Sequence, residues 1–173
     1  PHMQDPYFGR SVIFICEHNE DGALGFIVNK SFETPELQEL FADFFPQKDD
    51  ILKLLPQVYF GGPVLVERGI LLHSTDYETE STIKVGDDFS LTSNKTVVQD
   101  IAEKKGPRHY KLMLGHAGWA QHQLEAEIEN GDWLLQHTNL DYIFKTDEQY
   151  MWDIAAKSFG IDLGEFSGLG GSA

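Results

Sequence analysis

Two apolar runs, Val12-Ile13-Phe14-Ile15-Cys16 and Ala23 to Val28, open the chain and flank the polar stretch Glu17 to Gly22. Asp21-Gly22 supplies a turn signal, so the runs predict a β-hairpin or close strand pair. Neither run alternates, which predicts cover on both faces. A helix is predicted next. Thr34 caps it, Pro35 fits the first helical position, and Leu37, Leu40, Phe41, Phe44 and Phe45 form a helical stripe closed by Pro46.

Val58-Tyr59-Phe60 reads as a strand entering Gly61-Gly62-Pro63, and Ile70 to His73 as another. Residues 81–85 and 89–92 form a predicted hairpin around Gly86-Asp87-Asp88. Asn94 caps a helix carrying Val97, Val98, Ile101 and Ala102, closed by Gly106-Pro107. Lys111 to Leu114 predicts a strand running into Gly115-His116-Ala117-Gly118-Trp119. A helix is expected from about Trp119, with Ala120, Leu124 and Ile128 on its buried stripe and Gly131 as its cap. Trp133-Leu134-Leu135 and Tyr142-Ile143-Phe144 read as two further strands. Thr146-Asp147-Glu148-Gln149 is a capping box opening a last helix with Met151, Ile154, Ala155 and Phe159 on one face.

This gives about seven strands and four helices that do not strictly alternate, with several hairpins. The predicted class is α+β, with a mixed, mainly antiparallel sheet. A single domain over residues 3–163 is expected, because no linker divides a chain of 173 residues. Pro1-His2 ahead of Met3 reads as a cloning scar, and residues 164–173 as a loose Gly-rich tail.

Charge narrows the function. The 13 basic and 28 acidic residues give a net −15, a surface that repels polyanions. Direct nucleic-acid binding is therefore disfavoured. The one basic stretch, Lys104, Lys105, Arg108, His109 and Lys111, reads as a solvated helix end. Cys16 is the single cysteine, so no internal disulfide forms, and its apolar run predicts a buried, inert thiol. No apolar stretch is long enough to span a membrane and no signal segment opens the chain, so a soluble, cytoplasmic protein is expected.

Candidate chemistry is sparse. Gly61-Gly62-Pro63 could present backbone N–H groups to an anion but lacks the Lys-Ser/Thr of a P-loop. Gly115 to Trp119 has the strand-turn-helix setting of a nucleophile elbow without a Ser or Cys at its centre. Gln123 and Glu127 share a helix face, with Glu125 nearby. The 7 histidines show no metal-binding spacing, so neither metal nor cofactor is expected. Asn29-Lys30 ends the second strand.

In order along the chain stand Asp5-Pro6-x-Phe8-x-Arg10-Ser11-Val12, Glu17-His18-Asn19, Gly22-Ala23-Leu24-Gly25, Asn29-Lys30, Phe60-Gly61-Gly62-Pro63-Val64, Leu72-His73, Gly115-His116-Ala117-Gly118-Trp119, Gln123-Leu124-Glu125-x-Glu127 and Trp133-Leu134. The ordered set resembles the AlgH/YqgE family of bacterial proteins, from about residue 4 to the C-terminus. The resemblance implies an α+β fold with a bifurcated sheet, a small barrel-like part and surrounding helices. The family carries the label of transcriptional regulator, and the resemblance brings neither catalytic residues nor a cofactor. His116 stands where the family pattern carries Tyr or a similar residue, so no role for that side chain follows.

Three readings result. The first is a non-enzymatic regulatory or binding module acting through a small molecule or protein partner. Its candidate cleft is formed by His18, Asn29, Gly61, Gly62, His73, Gly115, Gly118, Trp119, Gln123 and Glu127. The second is a direct DNA-binding transcriptional regulator. The third is a hydrolase-type enzyme using His and carboxylates. The sequence leaves the ligand and the oligomeric state open.

Overall fold

The computed structural model describes residues 5, 7–32, 57–94 and 96–159. The helix expected after Thr34 and the tail 164–173 lie outside these residues. The described chain forms β1 (Ile13–Asn19), β2 (Gly22–Ile27), β3 (Val58–Phe60), β4 (Val64–Ser74), β5 (Thr82–Val85), β6 (Phe89–Thr92), helix α1 (Thr96–Ala102), β7 (Tyr110–Ala120) and helices α2 (Gln123–Glu129), α3 (Leu140–Lys145) and α4 (Glu148–Ser158).

The sheet runs β1-β2-β7-β4-β6-β5, with β3 paired to β7 outside this path. Every pairing is antiparallel except β3 on β7. The fold is thus α+β with a mainly antiparallel, curled sheet. Strand β7 serves both branches. Residues 110–116 pair with β4 along one edge, while the other edge takes β3 at 112–114 and β2 at 117–120. The hand-over between β2 and β3 is bonded: the Ile27 N–H donates to Gly61 O at 2.8 Å and the Gly61 N–H to Leu114 O at 2.9 Å.

Glycine permits this junction. A Cβ on Gly61 would lie 2.3 Å from the Gly115 carbonyl oxygen, and one on Gly62 2.2 Å from the His116 carbonyl. Gly115 has φ +77°, and its own Cβ would lie 2.3 Å from the Gly62 oxygen. Two backbones approach here more closely than any side chain allows.

Side chains of β1 alternate between two layers. Phe14 joins Phe26, Val28, Ile143 and Met151, the layer of α3 and α4. Ile13 and Ile15 join Trp119, Leu124 and Trp133, the layer of α2. Helix α1 covers a further cluster with Val97 against Leu71 and Leu112. The Cys16 thiol donates to Leu24 O at 3.3 Å, and burial pushes its pKa up to about 12, which leaves it unreactive. Lys111 is a core residue. Its ammonium donates to Val28 O at 2.7 Å and lies 4.5 Å over the Tyr59 ring. Burial pulls its pKa down to about 8. Lys105 pairs with Glu103. Of the basic stretch, Lys104, Lys105 and Arg108 are exposed as expected, whereas Lys111 is not part of a solvated helix end.

Three sequence expectations fail. No helix starts at Trp119: β7 continues to Ala120 because Gly118 and Trp119 face Leu24 and Ala23 of β2. Helix α2 starts only after His122, at φ 63°. Trp133-Leu134-Leu135 has no regular structure. Tyr142-Ile143-Phe144 belongs to α3 rather than to a strand. The Asn139 side chain caps that helix by accepting from the Tyr142 N–H at 2.9 Å, and Lys145 pairs with Asp141 one turn earlier. A three-residue apolar run has no period to distinguish strand from helix, so the cap decides.

Gly62→Ala combines a backbone collision with φ +151°, whereas a Cβ on Gly118 meets nothing within 4 Å. Thermal unfolding should show Gly62→Ala losing about 4 kcal/mol or more, and Gly118→Ala staying within about 0.5 kcal/mol of the parent. For a domain of this size that is a fall of more than about 8 °C against about 2 °C.

Candidate functional site

A cleft of about 450 Å³ lies along the outer side of β1. Ser11 to Ile15 form its floor, Trp119 and Leu124 one wall, and Ile143, Trp152 and Ala155 the other. The chain from Asp132 to Thr138, without helix or strand, borders it. Leu134 and Leu135 in that stretch are 47% and 62% exposed, a high value for two adjacent leucines. The chain has 3 tryptophans, and all of them line the cleft.

Glu127 organises two of them. Its Oε2 accepts from the Trp119 Nε1–H at 2.9 Å and from the Trp133 Nε1–H at 2.8 Å. Its Oε1 accepts from the Gln123 amide at 2.9 Å, and Gln123 Oε1 accepts from the Ala120 N–H at 2.9 Å, tying α2 to the end of β7. The two indoles meet edge to face at 6.1 Å, and Phe8 meets Trp133 likewise at 6.0 Å. Opposite, the Arg10 guanidinium lies 4.5 Å over the Trp152 ring and pairs with Asp153. The Tyr142 hydroxyl donates to Met151 O at 2.6 Å, and burial pushes its pKa up to about 12. The indole N–H groups of Trp119 and Trp133 and the Tyr142 hydroxyl are thus already bonded, so these walls turn mostly hydrocarbon toward an occupant.

The structure brings some predicted site residues together and separates others. Trp119, Gln123 and Glu127 form one unit at the cleft. Asn29 stands behind its rim: Oδ1 accepts from the Val12 N–H at 2.9 Å and Nδ2 donates to Arg10 O at 3.0 Å, which fixes the chain entering β1. Lys30 donates to Tyr7 O at 2.6 Å and fastens the same segment. Burial lowers its pKa. His18 pairs with Glu125 across the exposed surface, pinning the end of β1 to α2. That contact is the main cause holding the Glu125 carboxyl below its usual range. Gly61, Gly62 and Gly115 form the sheet junction, and Gly118 lies exposed in β7.

His73 is elsewhere. It is fully buried, its Nδ1 against Ser74 O at 2.7 Å and its Nε2 against Thr92 Oγ1 at 2.8 Å, and burial lowers its pKa. It pairs with Tyr110, while His18 pairs with Ala23, the partner of Trp119. The two histidines thus sit at opposite ends of β7, roughly 30 Å of strand apart. Among the described residues, no three His, Cys, Asp or Glu side chains gather as metal ligands.

Sequence reasoning missed Arg10, Trp133 and Trp152. The available signal was the tryptophans themselves: large amphipathic rings frequent at binding surfaces.

Replacing Glu127 leaves two indole N–H groups without their acceptor. Glu127→Ala is expected to cost about 2 kcal/mol, read as a fall in thermal midpoint, with tryptophan emission shifted to longer wavelength. Glu127→Gln keeps one acceptor oxygen and should fall by less.

The family model described as AlgH-like matches residues 1–164. The UPF0301 protein YqgE of Salmonella typhimurium is 36% identical over 176 residues, covering 100% of this chain and 94% of that protein. A UPF0301 protein of Marinomonas is 39% identical over 168 residues, covering 96% of this chain and 88% of its own. The solution structure of the AlgH protein from Pseudomonas aeruginosa superposes with TM-score 0.73 at 32% identity, covering 100% of this chain and 89% of that one. A crystal structure from Corynebacterium diphtheriae, at 23% identity and TM-score 0.66 over 90% of this chain and 81% of its own, shares the fold. The bifurcated sheet and the ordered motifs thus lead to one conclusion: this chain belongs to the AlgH-like family.

Proposed function

We propose that this protein is a non-enzymatic binding module, regulatory and cytoplasmic, that takes an apolar group of a small molecule or protein partner into the cleft beside β1. The observation that carries this reading is the cleft itself. Its volume of about 450 Å³ lies in the range of ligand sites, and all three tryptophans stand in its walls. Exposed Leu134 and Leu135 continue the apolar surface outward.

The other readings have less support. A DNA-binding surface needs spare cations, and the cleft's Arg10 is engaged by Asp153 on a chain of net charge −15. A hydrolase needs a histidine beside a reachable nucleophile. His73 touches the Thr92 hydroxyl only inside the core, and His18 touches a carboxylate.

Because all three tryptophans line the cleft, tryptophan emission reports on it. Titration with neutral N-phenyl-1-naphthylamine is expected to change tryptophan emission saturably, and Leu135→Arg to weaken that response about tenfold or more. A strictly linear, unsaturable response from the parent protein would contradict the reading.

A further inference from the structure

We infer that the occupant of the cleft is an extended peptide strand that adds to the open edge of β1, apolar at successive positions and basic at its flanks; this rests on the cleft being the binding site. Strand β1 is the terminal strand of the path, and among the described residues only its inner edge is paired, to β2. The Val28 N–H donates to Val12 O at 2.9 Å, and Phe14 faces Phe26 one period on. The Ile27 N–H, opposite Ile13, points the other way, to Gly61 O at 2.8 Å. Antiparallel ladders alternate in this manner, so Ile13 and Ile15 turn their N–H and C=O groups outward. Among the described residues, no hydrogen bond reaches those outward groups.

That edge is the floor of the cleft. A hydrocarbon seated there would dry these groups without pairing them, whereas a peptide backbone supplies matching acceptors and donors at the ladder spacing. The walls fit the same occupant. Ile13 and Ile15 lie in the layer of Trp119 and Trp133, and Phe14 in the layer of Ile143 and Met151. A strand beside β1 would send alternate side chains toward each layer. Charge selects the flank. Arg10 is neutralised by Asp153, while Asp132 in the lining forms no ion pair among the described residues and exposed Glu17 stands in β1 beyond the floor. The complement is an apolar strand bordered by Lys or Arg.

The test uses the whole protein and four capped hexapeptides, read by tryptophan emission. The parent is Lys-Val-Ile-Val-Ile-Lys. Two versions carry N-methyl groups on alternate residues, one set on each edge. The fourth replaces both Lys by Glu. The parent should bind saturably, one methylated version should bind at least about tenfold more weakly while the other stays within about threefold, and the Glu peptide should bind more weakly than the parent. Equal binding by both methylated peptides and the parent would overturn strand addition, and equal binding by the Glu peptide would overturn the basic flank. If naphthylamine saturates and the parent peptide does not bind, this inference fails alone. If neither binds, the cleft reading fails with it. A doubled mass without peptide, with the Ile13 and Ile15 amides protected, would assign the edge to a second copy of the chain and overturn the peptide.

Discussion

The contact on which the arrangement depends is backbone against backbone, where Gly61-Gly62 crosses Gly115-His116. Glycines, which carry no Cβ, let the chain leaving β3 come within reach of the middle of β7. One edge of β7 can then be shared, β3 on its first half and β2 on its second. A Cβ at this crossing would collide with the facing backbone and force the two apart. The split places the β1–β2 hairpin as a branch of its own, with β1 outermost. An outermost strand needs cover, because unpaired edges invite association. Here the cover comes from helices on both faces rather than from another strand, and the gap between them is the cleft.

The second constraint is the carboxylate of Glu127. An acidic protein has many carboxylates to place in solvent, yet this one is turned onto two indole N–H groups and the Gln123 amide. The bonds orient Trp119 and Trp133 and satisfy both of their indole N–H groups. On the opposite wall Arg10 plays the matching part, covering Trp152 and engaging Asp153. A preformed apolar cleft of this kind loses little conformational freedom when it binds.

Much of the fold was legible in the sequence wherever periods were long or turns carried specific chemistry. The first hairpin, the pair around Gly86 and the helix opened by Thr146 to Gln149 are where the pattern placed them, although Asp147 rather than Thr146 caps that helix, accepting from the Gln149 N–H. Trp119 was misread because a strand crowded with glycine and alanine looks like a turn, and only pairing with Ala23 and Leu24 keeps it extended. Tyr142 to Phe144 was misread because three apolar residues fit either period. In the site, Gln123 and Glu127 were found from helix spacing and Trp119 from the expected strand-turn-helix motif, although Trp119 proved to lie on a strand. The contact of Arg10 with Trp152 was out of reach, since it depends on α4 folding back over the chain that enters β1. His73 lies away from the cleft: a histidine at a strand end has no sequence signal for burial, and here the ring sits in the core between the Ser74 carbonyl and the Thr92 hydroxyl.

The central claim is that β1 ends the sheet with a free outer edge. Amide hydrogen exchange of the protein alone, resolved by residue, measures this directly. The Phe14 amide, directed at β2, should exchange slowly with the core, and the Ile13 and Ile15 amides far faster. Protection of Ile13 and Ile15 equal to that of Phe14 would mean that the edge is already paired, and the account of the cleft would be wrong.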